Sequence, residues 1–505
     1  MRLHPTPLAS SIQMPLRREG PDPTGLRDAM VPAPGSDPAL TLAAGTMLVT
    51  TGQQAGLFTG PLYTIFKALS AAALAQVLEE RFACPVRPVF WIPGDDHDFD
   101  EVASARWVAE DGALHSVRLP HRPPEAEMRP MWREPLGPAV TGLREKLMSE
   151  QPGSVHQAGV AEWLARHYQP HATVAGAYGR ALAELLAPFG VACLDSTHEA
   201  FKRAAVPWML RAAEEADSLE QLLIEAADRF RARGEAVPVE VGDGATLLFL
   251  DDRHGRDRLV RDGDGFRTRR GGNHYSFRDL EAIATAEPTR LSPNVLLRPV
   301  VESALLPTAA YVAGPGELRY LEMLPGLYRA LGVVPQQPVP RWSGAILEPH
   351  VERLLAKFGT TLEEVTHRFV ELERRIIRSH LPPAVPEGVA ELQESADRLY
   401  AALEAPLLEI DPTLAGPLAS SHRQAAWAAR DLERKALSRL RAREQVELAQ
   451  LRRLHGALAP GGGIQERTLT IAPFLSRHGP ALLDAIHAEA LQWYRSALEG
   501  GAGST

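Results

Sequence analysis

The sequence predicts an α/β protein: a mostly parallel sheet with helices on both faces, two insertions, and a C-terminal helical arm. Three observations carry this. Short apolar runs alternate with helical patterns from about residue 46 to 335, and such alternation builds parallel sheets. Two stretches break the alternation, one rich in proline and one with hairpin signals. From about Leu347 apolar residues recur at spacings of three and four, the seam of a coiled coil.

The elements follow in order. Residues 1–40 are rich in Pro, Gly and Asp and read as an irregular segment. The core spans 41–345. "TMLVT" (46–50) reads as a buried strand and 65–80 as a helix. "VRPVFWI" (86–92) reads as the second strand, 160–188 as mostly helical, and "GVACLDS" (190–196) as the third strand. "AAYVAG" (309–314) is the fourth and "GVVP" (332–335) the fifth. The insertions lie at about 107–155 and 215–290. In the second, "RDRLVRDGDGFRTRR" predicts a hairpin around Asp262-Gly263, and its "RTRRGG" end reads as solvated. Residues 346–505 form the helical domain. Leu362, Val365, Phe369, Leu372 and Ile376 set its seam, with a capping box at Thr360 and Glu363. Leu392, Ala396, Leu399 and Leu403 continue the seam. A long helix follows at about 421–458, and the break at "EIDPTLAGP" predicts an antiparallel hairpin.

Composition bounds the function. At 505 residues the chain makes two to four domains, at about 150 residues each. A net charge of −9 argues against nucleic-acid binding. Two cysteines, Cys84 and Cys193, exclude a disulfide framework and a Cys-rich zinc site. The N-terminus lacks the apolar segment of a secretory signal, and no run approaches the ~18 apolar residues of a membrane span. A cytoplasmic protein is expected, with neither membrane nor nucleic acid as partner.

Ligands of open parallel sheets bind beyond the carboxyl ends of the strands. After the first strand comes "TGQQAGLFTGPLY" (51–63), with Gly52, Gly56 and Gly60 free to adopt positive φ and Pro61 suited to a first helical turn. Thr59 or Gly60 is the expected N-cap. Thr59, Gly60 and Pro61, with Lys67 two turns in, form the expected anion site; a plain strand–helix turn is the alternative. Neither classical nucleotide motif is present. After the second strand "PGDDHDFDE" places five carboxylates and His97 between Asp95 and Glu101. That density needs a cation, an ammonium group or arginine partners. A magnesium site, an amine pocket and a solvated turn all remain open, and no metal is assigned. His97 reads as a hydrogen-bonding or acid–base group. Arg298 and Glu302 are four apart, and an ion pair is the simplest reading. After the fourth strand Gly314-Pro315-Gly316-Glu317 echoes the first Gly/Pro turn.

Five stretches, "TGQQAGLFTGPLYTIFK", "PVFWIPGDDHDFDE", "LSPNVLLRPVVES", "YVAGPGELRY" and "PGGGIQERTL", together resemble the BshC family of cysteine-adding enzymes of bacillithiol biosynthesis. The matches run in order from about residue 49 to 480. The resemblance implies a Rossmann-like core with two connecting-peptide insertions and a C-terminal coiled coil through which the family forms a homodimer. It implies a ligase that adds L-cysteine to glucosamine-malate in the last step of bacillithiol synthesis. By analogy with related ligases it implies ATP with Mg²⁺, although "TGPLY" stands where those enzymes carry histidines. On this reading Asp96, His97 and Asp98 are catalytic. Asp95, Gln53, Tyr63, Arg298, Glu302 and Glu317 bind substrate, Arg298 taking malate carboxylates and Glu317 sugar hydroxyls. Thr59, Gly60, Pro61, Lys67, Gly314 and Gly316 hold the cofactor. A metal-dependent hydrolase using the Asp/His cluster, or a coiled-coil scaffold without catalysis, are the competing readings.

Overall fold

The computed structural model describes residues 1–7, 12–123 and 126–499. The chain forms two compact units. The larger comprises Leu3–Trp107, His115–Ile346 and Glu466–Thr505; the smaller comprises Met1–Arg2, Val108–Leu114 and Leu347–Gln465. The expected single helical domain over 346–505 is thus divided, because Glu466 onward returns to the larger unit.

The larger unit holds two five-stranded sheets. The elements that build these sheets and their site begin with β1 (Met47–Gly52), α1 (Tyr63–Phe82), β2 (Val86–Ile92), α2 (Val174–Leu186), β3 (Ala192–Asp195), α3 (Glu199–Glu214) and α4 (Ala216–Ala232). Then come β4 (Ala245–Asp252), β5 (Gly255–Asp262), β6 (Gly265–Thr268), β7 (His274–Tyr275) and β8 (Leu291–Pro293). Last are α5 (Arg298–Leu305), β9 (Thr308–Ala313), α6 (Pro315–Leu321) and β10 (Gln337–Pro340).

The first sheet runs β10-β9-β1-β2-β3, every pair parallel. All residues of β1 and β9 are buried, as expected of strands covered on both faces. The strand order reverses between β1 and β9, and such a switch point opens a crevice at the carboxyl ends. The fifth strand is Gln337–Pro340, not the expected 332–335. Two prolines are tolerated there because β10 is an edge strand. Helix α1 is buried along most of its length, since the terminal helix Ala481–Glu499 packs on it as well. Its run of alanines lets both neighbours approach.

The second sheet runs β7-β6-β5-β4-β8 and is antiparallel. It spans residues 245–293, overlapping the stretch expected as an insertion at about 215–290, and Asp262 pairs with Gly265 across the predicted hairpin turn.

In the smaller unit the expected seam is split into Leu362–His367 and Phe369–Ser379. Thr361, one residue later than expected, caps the first of these by accepting from the Glu364 N–H. Ala384–Ile410 and Ala415–Arg443 form the helical hairpin. His422 meets Asp397 and stacks on Tyr400, and the short turn Pro412–Leu414 between the two helices sets them antiparallel. The long helix breaks at Glu444 before Gln445–Leu458. No helix among the described residues is long and apolar enough to cross a membrane.

Candidate functional site

A cavity of about 680 Å³ opens at the switch point. All five parallel strands supply its wall. Gln53 and Gln54 follow β1, Asp95 to Asp98 follow β2, Ser196 follows β3, Gly314 to Glu317 follow β9, and Arg341 follows β10. The antiparallel sheet adds Phe249, Arg256 and Arg258.

The loop after β1 is built to brace, not to cradle an anion. Thr59 and Gly60 are buried, and neither they nor Pro61 line the cavity. Phe58, Thr59 and Gly60 take φ of 50°, 71° and 70° in succession. Of the three glycines only Gly60 uses positive φ. A Cβ on Gly56 would lie 2.7 Å from the Cα of Gly60, and one on Gly52 would lie 2.9 Å from the Trp91 carbonyl. The loop therefore folds back on itself. The Thr59 N–H donates to Tyr168 Oη at 2.7 Å, and the Phe58 carbonyl accepts from Thr470 at 2.8 Å. The helix starts at Tyr63, with Leu62 as N-cap, later than the expected Thr59 or Gly60.

Lys67 lines the cavity but has no donor to spare. Its ammonium donates to the Gly52 carbonyl, to Glu317 at 2.6 Å and to Gln53 at 3.4 Å, which uses all three protons. Burial pulls its pKa down and Glu317 opposes that shift. Burial resists ionisation of Glu317, but Lys67, the Gly314 N–H and Tyr311 outweigh it and hold the carboxyl below its usual range. Tyr311 Oη and the Gly314 N–H each donate to Glu317 at 2.7 Å. Glu317 is thus engaged on both oxygens.

The acidic loop is likewise partnered residue by residue. Both oxygens of Asp95 accept from Lys202, at 2.8 and 2.7 Å. Asp96 accepts from Gln54 at 2.5 Å and from the His97 and Asp98 N–H groups at 2.7 and 3.2 Å. Burial opposes its ionisation, yet Gln54, Arg256 and these amides win and keep the pKa below the usual carboxylate range. Asp98 caps the turn Phe99–Val102. Asp100 pairs with Arg118. Arginine and lysine partners therefore relieve the crowding. Among the described residues only His380, Glu444 and Glu447, on the helical arm, bring three potential metal donors together; the acidic loop does not converge on one point and does not fit an all-protein magnesium site.

His97 is not a free base. Its Nδ1 faces Arg256 at 3.2 Å and its Nε2 faces Arg270 at 3.3 Å. Burial first, then Arg256, lower its pKa to about 4, so the ring is neutral at pH 7.

Arg298 donates to Glu302 at 2.5 Å and lies near the rings of Tyr311 and Trp91, 5.0 and 5.6 Å from their centroids. Glu302 is fully buried beneath the wall and also accepts from Thr50. It does not line the cavity, and its pKa is raised by burial against the pull of Arg298. Gln53 and Tyr63 line the cavity and are joined at 3.2 Å. The rim near Tyr63 carries Arg341, bound to Glu466, and Arg467, which no carboxylate pairs among the described residues.

Several wall residues were not read from sequence. Lys202 looks like any helical lysine until β3 places it under Asp95. Arg256 and Arg258 were legible only as hairpin residues, and Arg467 sat in a stretch read as a turn.

A family model described as the N-terminal Rossmann-like domain of bacillithiol biosynthesis BshC matches residues 39–341. A second, described as the C-terminal coiled-coil domain of BshC, matches 344–493. A protein of Symbiobacterium thermophilum named "Putative cysteine ligase BshC" is 32% identical over 452 residues, covering 87% of this chain and 81% of its own. The protein of that name from Heliobacterium modesticaldum is 33% identical, covering 91% and 84%. That from Salinibacter ruber is 31% identical, covering 87% and 80%.

Proposed function

The chain belongs to the BshC family of bacillithiol biosynthesis, and on that premise we propose that it is a cysteine ligase. It joins the carboxyl of L-cysteine to the amine of glucosamine-malate, the last step in making bacillithiol. The observation that carries the reading is the cavity itself: five strand ends and a second sheet close on one chamber with charged side chains in its wall at the switch point. Amide formation in water needs two substrates held in register and a carboxyl oxygen turned into a leaving group. The chamber has charged groups of both signs for that purpose.

The ammonium of cysteine is suited to the acidic side, where Asp96 stays ionised and Asp98 and Glu101 also face the cavity. ATP is the cofactor proposed, and it supplies the activation of the cysteine carboxyl. The group that fits a polyphosphate is the rim of Arg467 and Tyr63 with the Gly314–Gly316 turn, where a Cβ on Gly316 would meet nothing within 4 Å; Arg341, paired with Glu466, braces that rim. Thr59, Gly60, Pro61 and Lys67 take no part in this. Neutral His97 orients its arginine neighbours. The braces Lys67–Glu317 and Lys202–Asp95 hold the strand ends in place and keep the wall rigid.

Two copies are proposed to associate through the helical arm. Leu392, Leu399, Leu403 and Ile410 are all exposed on Ala384–Ile410, and their spacings of 7, 4 and 7 place them on one face. Leu399→Glu with Leu403→Glu should convert a dimer to a monomer in sedimentation; an unchanged mass would remove this role.

The reaction is tested in extract of cells lacking the native protein. Adding back the purified chain should restore the thiol product from cysteine and glucosamine-malate, and only with ATP. A metal-dependent hydrolase would restore nothing and would need no nucleotide.

A further inference from the structure

The ligase reading leaves one wall without an assigned role, the cationic side built by the antiparallel sheet. Residues two apart on a strand share a face, and Arg256 and Arg258 of β5 both line the cavity. Phe249 pairs with Arg258 across the ladder. The guanidinium groups of Arg256 and Arg258 lie 3.8 and 5.7 Å from its ring centroid. The His97 ring lies 5.9 Å from the same ring. Arg270, in the turn after β6, reaches His97 from the other side. That turn is fixed by Asp257, which accepts from the Arg270 and Gly271 N–H groups at 2.8 Å.

The three arginines differ in how far they are satisfied. Arg256 donates to Ser292 at 3.0 Å, to the Pro293 carbonyl at 3.1 Å and toward His97. Among the described residues no carboxylate pairs with the side chain of Arg258 or of Arg270, and Arg258 half-buries its charge without a hydrogen bond.

The proton count at His97 sharpens this. A neutral imidazole carries one N–H and one lone pair, and a guanidinium has donors only. Both ring nitrogens face a guanidinium, so one contact sets N–H against N–H. Arg256 is held by two further bonds, so Nδ1 accepts from it and the Nε2–H points at Arg270. An anion placed between them accepts from both and removes the conflict. Bidentate guanidinium–carboxylate pairing is the geometry arginine serves best.

We infer that Arg258, Arg270 and the Nε2–H of His97 form a carboxylate-binding subsite, and that it takes the malyl carboxylates of the amine substrate. The assignment to malyl rests on the ligase reading; the anion subsite does not. Arg298, tied to Glu302 and flanked by Tyr311 and Trp91, is left to hold the wall.

Two measurements on the full chain separate the two claims. Calorimetry with L-malate should give binding in the wild type and its loss in Arg258→Met and Arg270→Met. Steady-state kinetics should show the KM for glucosamine-malate raised about 10- to 100-fold in each variant, from the loss of a charged hydrogen bond, with the KM for cysteine unchanged. Arg258→Lys, which keeps the charge and loses the fork, should recover part of the affinity. The preference for glucosamine-malate over glucosamine itself should shrink in the Met variants. Wild-type turnover with an unchanged KM in the Met variants would overturn the subsite. Malate binding that depends on both arginines, with no cysteinyl product from any amine, would uphold the subsite and overturn the ligase reading.

Discussion

The two sheets border the same cavity and treat charge in opposite ways. At the ends of the parallel strands every wall cation has an acid: Lys67 with Glu317, Lys202 with Asp95, Arg298 with Glu302 and Arg341 with Glu466. On the antiparallel side the wall residue Arg258 has none among the described residues, nor has Arg270, which reaches His97 from the exposed turn after β6. Burying an ion is costly and is offset only when its partner is in place. A paired cation is therefore a brace, and an unpaired one keeps its capacity for a ligand. A conspicuous lysine near a glycine turn belongs here to the first class, and an inconspicuous hairpin arginine to the second.

The largest effect that tests this contrast is on stability. Lys67→Met leaves Glu317 without its ammonium partner and should cost about 3–5 kcal/mol, read as a lower denaturation midpoint. Adding Glu317→Gln should return most of it. A single variant as stable as the wild type would show that the pair is no brace.

The next effect is pH-dependent. The folded-state pKa of His97 is about 4 against about 6.5 unfolded, so the unfolded chain binds the extra proton between those values. Stability contributed by the neutral ring is complete above pH 6.5 and lost as pH falls to about 4, by ~3 kcal/mol. Denaturation of the wild type and of His97→Asn between pH 7 and 4 should diverge by that amount; parallel curves would mean that burial and the arginines together do not hold the ring neutral.

The smallest effect belongs to the turn. Asp98→Ala removes the cap of Phe99–Val102 and should cost ~1 kcal/mol, well below the loss at Lys67. A cost as large would place Asp98 among the braces.

How much was legible follows from these same residues. The strand Val86–Ile92 was readable to its ends, because apart from Arg87 it is one apolar run, as a buried parallel strand should be, and Pro85 and Pro93 bracket it. The parallel-sheet core and the coiled-coil arm were legible from alternation and heptad spacing, and the family, with the Rossmann-like fold it implies, from five ordered motifs. The direction in which a loop faces was not. Thr59 to Pro61 carry the marks of an anion cradle, yet they turn toward Tyr168 and Thr470, far along the chain. Lys67 reads as an anion ligand because the partner that saturates it stands 250 residues away in sequence. The arm breaks at Glu444, the one charged residue among the heptad positions 437, 444, 451 and 458, and a single polar residue in a seam does not by itself mark a helix end.

The central claim is that this cavity forms the amide. The most direct test follows cysteine carrying an isotopic label at its carbonyl carbon through the purified full chain with glucosamine-malate and ATP, in the wild type, Asp96→Ala and His97→Ala. Mass spectrometry should place the label in a new amide with the wild type and show product falling at least about 10-fold, the ~1.4 kcal/mol of one lost charged contact, in both variants while circular dichroism is unchanged. Equal turnover in all three would contradict the account.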